Sequence, residues 1–488
     1  MTGTLIIIHR WLGVGFCLLF AMWFATGIVM HFVPFPALAR TEQFNGLSAI
    51  ELSLVAHGPA DAVVASKVEG PTRVRLFARS DGPVYVISAK SGMKALHASD
   101  LTPATVQSEQ LALEIASDHA HRRGLAGQPT IAGLARYDQW TVPNNFDPHR
   151  PLYRIAVNDE RGHELYVSSR TGEVVQDTTR LERRWNYAGS VLHWMYPTAL
   201  RRNWTAWDKT VWTLSLAALI AAVSGAWVGL LRIKPKRYRL ETPYRGWHAW
   251  HHVIGLLCLL FVLSWIFSGW LSMDHGRLFS SGNVTEAEAT AITGTPEWEN
   301  LFAGAVGILP TAAREIEWFA FDNRMFRRER TGFAEQRLSI AGVDRDIYPS
   351  REFLRPDEVD PVTSRLAVRC NPAVVVVAND NYFVSSTMPS GSVYRAVCGD
   401  SWFHIDGANG AILEKLDRSR RAYRWLYNAL HTFDIPALVA RPVLRTTLIV
   451  ILCGCGLVFS FTAVVIAWRR VSLKLGSSQG ECCAPSDG

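Results

Sequence analysis

Residues 8–13 read Ile-His-Arg-Trp-Leu-Gly, and residues 250–255 read Trp-His-His-Val-Ile-Gly. Each stretch opens a long apolar run with a histidine in its first turn. Four positions of the first run recur in the second with one constant offset of 242 residues: His9, Gly13, Trp23 and Gly27 correspond to His251, Gly255, Trp265 and Gly269. An ionisable side chain at the edge of a membrane span indicates a functional site by default. His9 and His251 are therefore the first candidates for chemistry.

Four apolar stretches predict the membrane topology. Roughly residues 5–33, 208–231, 247–273 and 445–468 each contain the ~18 or more mostly apolar residues that a spanning helix needs. The loop 232–246 is crowded with Arg and Lys, and such loops remain in the cytoplasm. Four crossings of a bacterial inner membrane then leave both termini in the cytoplasm. Because the basic residues flank spans instead of covering a folded face, nucleic-acid binding is excluded.

The predicted fold is an α-helical four-span membrane bundle with two periplasmic α+β domains. Its segments, in chain order, are transmembrane helix 1 at 1–33, the first periplasmic domain with a Leu-His helix at 34–207, transmembrane helix 2 at 208–231, the cytoplasmic basic loop at 232–246, transmembrane helix 3 at 247–273, the second periplasmic domain with a Leu-His helix at 274–444, transmembrane helix 4 at 445–468 and a cytoplasmic tail at 469–488. Ala37-Leu38-Ala39 resembles a signal-peptidase site. A signal peptide's apolar region is only about 7–15 residues long, so we expect an uncleaved first span.

The two outer segments end alike, which extends the repeat beyond the spans. In the first, a helical pattern at 108–122 and a predicted hairpin lead to Gly172, and in the second a predicted strand leads to Gly410. Each glycine is followed 21 residues later by the histidine of a Leu-His pair, His193 or His431. The offset here is 238, close to 242. Two such offsets so far apart in the chain indicate an internal tandem duplication.

The cysteines agree with this topology. Cys370 and Cys398 are the two cysteines of the outer segments, and a periplasm is oxidising, so we expect them to form a disulfide. The alternative is a pair of buried free thiols. Cys482 and Cys483 lie in the polar tail without the spacing of a zinc site.

In these motifs the chain resembles the PepSY-associated transmembrane family. The motifs are the openings of the first and third spans, the Tyr-Val-Ser-Ser-Arg-Thr-Gly-Glu-Val turn from Tyr166, and the two Leu-His pairs. The resemblance covers nearly the whole chain and is weakest at 276–370. The family includes inner-membrane di-haem proteins similar to ferric-siderophore reductases. The resemblance therefore implies two b haems, electron transfer across the membrane, and reduction of a periplasmic Fe(III)-siderophore with release of Fe(II).

The residues support haem ligation independently of the family. Haem iron in an electron-transfer site takes two strong axial ligands, for which histidine is suited, and a helical bundle supplies them from facing helices. His9 and His251 are equivalent in the duplication and fall on the cytoplasmic edge. His193 and His431 are equivalent and fall on the outer side. Two symmetric pairs, one on each side, are what an electron path through a membrane requires.

Other histidines leave alternatives open. His252 competes with His251 as the ligand from the third span, and the alignment with His9 favours His251. His31 and His275 lie at the outer ends of their spans, where either would replace a Leu-His ligand or donate protons near the outer haem. The remaining outer-domain histidines are predicted to be surface residues: His119, His121, His149 and His163.

The predicted function is a di-haem b oxidoreductase. The sequence contains no Walker loop, HExxH motif, nucleophile elbow or dinucleotide fingerprint, so the electrons must come from a cytoplasmic protein, a free reduced flavin or a quinol. The alternative is a non-enzymatic, membrane-anchored regulatory protein whose PepSY-like domains bind a peptide or a protease. A transporter ranks third, because four spans without a deep carboxylate give it no support.

The topology can be tested directly. A reporter fused after Gly172 should be active in the periplasm, and one fused after Arg237 should be active in the cytoplasm, because the basic loop stays inside. The opposite pattern would contradict both the topology and the placement of the histidine pairs.

Overall fold

The computed structural model describes residues 2–236, 239–279, 283–295, 298, 312–341, 350–366, 370–376, 380–382 and 391–480. The chain forms two compact units. The helical unit comprises Met1–Phe35, Arg184–Phe279 and Ala422–Gly488, and the sheet unit comprises Pro36–Arg183 and Ser280–Arg421. The Leu-His segments, predicted within the outer domains, therefore belong to the unit that holds the apolar helices.

The described helices are, in chain order, α1 (Thr2–Phe32), α2 (Arg40–Asn45), α3 (Pro59–Ser66), α4 (Glu109–Arg122), α5 (Arg180–Asn186), α6 (Thr198–Arg201), α7 (Trp204–Leu231), α8 (Trp247–Leu257), α9 (Leu259–Leu271), α10 (Glu286–Thr293), α11 (Pro356–Thr363), α12 (Arg418–Tyr423), α13 (Leu430–Thr432), α14 (Pro436–Val439) and α15 (Pro442–Gly480).

The described strands are β1 (Pro71–Arg79), β2 (Gly82–Ala89), β3 (Gly92–His97), β4 (Thr130–Ala135), β5 (Leu152–Ala156), β6 (Glu164–Ser168), β7 (Val174–Thr178), β8 (Lys234–Lys236), β9 (Arg239–Glu241), β10 (Glu315–Phe321), β11 (Arg324–Arg330), β12 (Gln336–Ile340), β13 (Val374–Val375), β14 (Val393–Cys398), β15 (Ser401–Asp406) and β16 (Ile412–Leu416).

Within the described residues, α1, α7 and α15 are each long and apolar enough to cross a membrane. Helices α8 and α9 pass the same test together, but they are bent by 73° at Cys258. The stretch 247–273, predicted as the third transmembrane helix, therefore consists of two helices with a bend between them. Gly255, just before the bend, lets α8 approach α15 closely, because a Cβ there would lie 2.8 Å from the Phe459 ring.

Each Leu-His pair follows a wide helical turn. Residues Tyr187–Val191 and Arg424–Ala429 are π-helical, and His193 and His431 come directly after them. Such turns are rare and are found mostly at functional sites. Gly189 is required in the first, since a Cβ there would lie 2.9 Å from Val29 of α1. The sequence pattern gave no sign of these turns.

The sheet unit is organised by one six-stranded antiparallel sheet with the order β12-β11-β10-β1-β2-β3. Its central pair joins β1 of the first half to β10 of the second, with Arg75 opposite Glu317. These two residues are 242 positions apart, which is the offset of the duplication. A local two-fold axis therefore passes through this pair. The two outer segments, predicted as separate domains, share a single sheet.

Two smaller four-stranded sheets carry the ends of the two outer segments. One has the order β4-β5-β6-β7 and the other β13-β14-β15-β16. Helix α4, which Ser108 caps, packs Ile115 against Ile155 of the first small sheet, as the helix-then-hairpin pattern predicts. Gly172 and Gly410 close the equivalent turns with φ of 73° and 69°, a conformation that favours glycine.

The cysteines are separated as the topology predicts. The structure contains a disulfide between Cys370 and Cys398 in the sheet unit. In the helical unit, Cys17, Cys258 and Cys453 are buried as free thiols, and Cys455 is exposed. Cys482 and Cys483 lie outside the described residues.

Charged side chains form a buried network on the six-stranded sheet. Arg75 pairs with Glu173 at 2.7 Å, and Glu317 pairs with both Arg73 and Arg328 at 3.2 Å. Burial alone would raise the pKa of Glu317, but the charges of the neighbouring arginines outweigh it and lower that pKa. The network therefore depends on Glu317 being ionised.

Replacing Glu317 should destabilise the sheet unit. Glu317→Gln leaves buried arginines without their charge partner, which costs ~3–5 kcal/mol in comparable buried pairs. A carboxylate whose folded-state pKa is lowered contributes stability that is lost as the pH falls below its unfolded value of 4.5. The unfolding temperature of the wild type should therefore fall as the pH is lowered below 4.5. That of Glu317→Gln should fall less over the same pH range.

The matched control for this experiment is Glu286→Gln. Glu286 forms an exposed ion pair with Lys90 at 2.7 Å, so its loss should change the unfolding temperature very little. Calorimetry of the full chain in detergent measures both variants. An equal loss in the two would contradict a special role for the buried network.

Candidate functional site

His9 and His251 face each other inside the helical unit. His9 lies in α1 and His251 in α8, and their ring centroids are 6.4 Å apart. They line a cavity of about 340 Å³, which we call the His9–His251 cavity. Its other walls are mostly apolar and come from α7 and α15, with the Phe459 ring stacked on His251 at 4.7 Å.

His193 and His431 form a second facing pair in the same unit. Their ring centroids are 6.3 Å apart. They line a cavity of about 640 Å³, the His193–His431 cavity, whose walls are rich in tryptophan. The two histidines that precede the apolar runs thus meet as the duplication predicts.

In all four histidines of the two pairs, the ring nitrogen Nδ1 is hydrogen-bonded to an oxygen atom of the protein. His9 donates its Nδ1–H to the carbonyl oxygen of Ala221 at 3.1 Å. A carbonyl can only accept, so the Nδ1 of His9 carries the proton. Its Nε2 then has a free lone pair.

The other three histidines use side-chain hydroxyls instead. The partners of Nδ1 are Thr26 for His193 at 2.9 Å, Ser268 for His431 at 3.1 Å and Thr462 for His251 at 2.9 Å. Each hydroxyl has one hydrogen and donates it to a backbone carbonyl of its own helix, so it accepts from the imidazole. Every Nε2 is left as the nitrogen that could bind a metal, with its ring oriented by the Nδ1 partner.

Glycines make room beside the rings. A Cβ at Gly225 would lie 2.4 Å from Cε1 of His9, so no larger residue fits there without moving the ring. The equivalent Gly27 and Gly269 lie against His193 and His431, with Cβ positions 3.8 Å and 3.3 Å from their Cε1 atoms. These glycines are part of the histidine sites as well as of the helix packing.

The ring separations agree with two imidazoles on one metal ion. A metal–imidazole bond is about 2.0 Å long and each ring centroid lies about 1 Å beyond its nitrogen, so centroids on opposite sides of one metal stand about 6 Å apart. The described residues contain no group of three or more His, Cys, Asp and Glu that would hold a bare metal ion. A cofactor that brings its own equatorial ligands, such as haem, fits this donor set.

The three alternative ligands, His252, His31 and His275, form hydrogen bonds or an ion pair with other protein groups. Both ring nitrogens of His252 are bound, Nδ1 to Thr242 and Nε2 to the carbonyl of Gly229, each at 2.9 Å. His31 lines the His193–His431 cavity, but its Nε2 is bound to Thr446 at 2.9 Å. His275 pairs with Asp208 at 2.6 Å and does not line either cavity.

The prediction that the outer-domain histidines are surface residues is wrong for two of them. His119 and His163 are only 5% and 7% exposed. His163 pairs with Asp159 at 2.5 Å. Burial, and then the charge of Arg123, lowers the pKa of His119 to about 3. His119 continues the spacing of the buried Ala112, Ile115 and Ala116 on α4, so helical periodicity marks it as internal, whereas His163 follows a turn and has no such signal.

A third cavity, of about 360 Å³, lies in the sheet unit beside the buried charge network. His119 lines it, and its Nε2 is buried without a hydrogen-bond partner. The charged residues of its wall are Arg40, Arg73, Arg75, Arg79, Asp118, Glu173, Glu315, Glu317, Arg328, Arg330 and Asp406. Most of these guanidinium groups are paired with carboxylates of the protein, so the wall is polar and nearly balanced in charge.

Sequence reasoning identified the four facing histidines and missed the groups that orient them. Thr26 and Ser268 are equivalent at the offset of 242, so the duplication contained a signal for them. Thr462 corresponds to Ser224 at the offset of 238, so the duplication marked a hydroxyl there as well, although His9 uses the carbonyl of Ala221 as its acceptor.

Comparison with known proteins locates the family. A search of curated proteins finds no match. The family model described as the PepSY-associated TM region matches residues 6–470. The chain therefore belongs to the PepSY-associated transmembrane family.

Proposed function

We propose that this protein is an inner-membrane di-haem b oxidoreductase that carries electrons from the cytoplasmic side to a periplasmic Fe(III)-siderophore and releases Fe(II). The observation that carries the proposal is the existence of two facing imidazole pairs, 6.4 Å and 6.3 Å apart, with every Nε2 free. A haem bound at each pair supplies reversible one-electron chemistry. The reduced donor gives up one electron, and is thereby oxidised, for each Fe(III) that becomes Fe(II).

The residues of the chain would hold the cofactors as follows. His9 and His251 would hold one haem, and His193 and His431 would hold the other. The Nδ1 hydrogen bonds fix each ring's tautomer and orientation. The apolar walls of the His9–His251 cavity exclude water from its ligands. In the proposed topology, this cavity lies on the cytoplasmic side and the other on the periplasmic side.

Aromatic side chains occupy the space between the two cavities. Gly27, beside His193, follows His9 by 18 residues on α1, which is about 27 Å along a helix. Phe20 lines the first cavity and Trp23 lines the second, with ring centroids 6.2 Å apart. Phe24 and Trp265 continue this packing at 6.0 Å. A dry, aromatic interior supports electron transfer between the two sites without proton leakage.

The second candidate function is a non-enzymatic, membrane-anchored binding protein. The polar cavity of the sheet unit favours it, because a space of about 360 Å³ lined by charged side chains is available to a polar ligand whether or not electrons are transferred. The two candidates differ in colour: the oxidoreductase is red when purified, and the binding protein is colourless. The quinol or cytoplasmic electron donor belongs to the first candidate alone.

The ligand assignment is tested by alanine variants. His251→Ala should lose the haem on its side and keep most of the other, and His431→Ala should do the reverse, because alanine cannot replace an axial imidazole. Either change should stop Fe(II) formation outside proteoliposomes. The pyridine haemochrome assay gives the haem content of each variant.

The matched controls are His252→Ala and His31→Ala. Both should retain two haems, since both nitrogens of His252 and the Nε2 of His31 are hydrogen-bonded to protein groups. If His252→Ala retained one haem and His251→Ala retained two, the ligand from the third span would be His252 instead of His251. If His31→Ala retained only one haem, His31 would be a haem ligand in place of one histidine of the Leu-His pairs.

The orienting hydroxyls give a separate prediction. Thr26→Val removes the Nδ1 acceptor of His193 at constant shape, so the haem affinity of that cavity should fall by about 10–100-fold, as for other partners of metal-bound histidine. Thr213→Val is the control, because its hydroxyl only donates to the carbonyl of Lys209. Haem titration of the apo-protein measures both. Equal affinities in the two variants would contradict the role of Thr26.

A further inference from the structure

Two arginines enter the wall of the otherwise apolar His9–His251 cavity. Arg10 follows His9 on α1, and Arg470 lies on α15. Both line the cavity, and no Asp or Glu is found among its lining residues. The Trp11 indole holds the two together, since their guanidinium carbons lie 5.6 Å and 5.8 Å from its ring centroid.

Each arginine has a donor without an acceptor. The Nε atoms of Arg10 and Arg470 are buried and lack a hydrogen-bond partner among the described residues. Neither side chain forms an ion pair within the described part of the chain. A buried donor that is left unpaired costs free energy. Anionic oxygens of a ligand in the cavity would satisfy both donors and pair with both charges.

The duplication shows that this feature is confined to one edge of the cavity. The counterpart of Arg10 is His252, whose nitrogens are bound to protein oxygens, and the counterpart of Arg470 is Arg232, which is exposed and does not line the cavity. Arg10 and Arg470 thus place two positive charges at the α1–α15 edge of the cavity. Their equivalents, His252 and Arg232, do not form such a pair at the α7–α8 edge.

We propose that Arg10 and Arg470 form a carboxylate-binding subsite that holds the two propionates of the haem ligated by His9 and His251. The inference rests on the proposed function. Haem b carries two carboxylates, which match the two guanidinium groups, and charge-assisted pairing of this kind is strong and directional. The subsite fixes the in-plane orientation of the macrocycle, with its propionates at the α1–α15 edge. A phospholipid phosphate offers the same anionic oxygens, so the test must separate these two sources.

The experiment compares haem b with its dimethyl ester, which lacks the carboxylates. Apo-protein carrying His431→Ala, so that one cavity binds, is titrated with each form in detergent. The parent should prefer the free acid by about tenfold or more for each arginine. Arg10→Gln/Arg470→Gln should bind the ester as the parent does and lose the preference for the acid. Arg469→Gln, exposed beside Arg470, should keep the preference in full.

An unchanged preference in the double variant would overturn the proposal. A changed lipid requirement with an unchanged preference would assign the arginines to phosphate and overturn it as well. If the double glutamine variant fails to bind the ester, Arg10→Lys/Arg470→Lys replaces it. In this lysine variant, the preference for free haem b over its dimethyl ester should be smaller than in the parent but still present. An unchanged or abolished preference would contradict the subsite. A parent that binds neither form refutes the proposed function instead.

Discussion

The hydrogen bond at Nδ1 of each facing histidine is the interaction on which the site depends. It holds one nitrogen of the ring against a protein oxygen and leaves Nε2 as the nitrogen that is available to a ligand. Without it, two imidazoles 6.4 Å or 6.3 Å apart would be ordinary aromatic neighbours. With it, each pair offers two Nε2 lone pairs along the wall of one cavity. The apolar spans, the bend at Cys258 and the π-helical turns bring these rings and acceptors into place.

The duplication explains why there are two such sites, and the differences between the copies explain why they are not identical. Equivalent residues meet across the six-stranded sheet as Arg75 and Glu317, so an exact repeat would have placed like charges in contact. In the helical unit, Arg10 and His252 are equivalent, but only the arginine leaves donors free in the cavity. Divergence therefore changed charge at positions where the two-fold arrangement would otherwise have been unfavourable or redundant.

The sequence predicted what periodicity and repetition can encode. Long apolar runs predict the spans, and the offsets of 242 and 238 pair His9 with His251 and His193 with His431. The bend between α8 and α9 was not predictable, because neither proline nor a charge marks it. The shared sheet was missed because strand pairing over more than 200 residues leaves no local pattern. The burial of His163 depends on the turn in which it pairs with Asp159, and the role of Thr462 depends on the packing of α15 against α8.

The most direct test of the account is the haem content and spectrum of the purified wild-type protein. If each facing histidine pair binds a haem, the protein contains two b haems per chain. Its Soret band then shifts when dithionite is added, and its spectra are typical of two imidazole ligands on each iron. A colourless protein, or one that contains a single haem, would contradict the central claim that the two facing histidine pairs are equivalent cofactor sites.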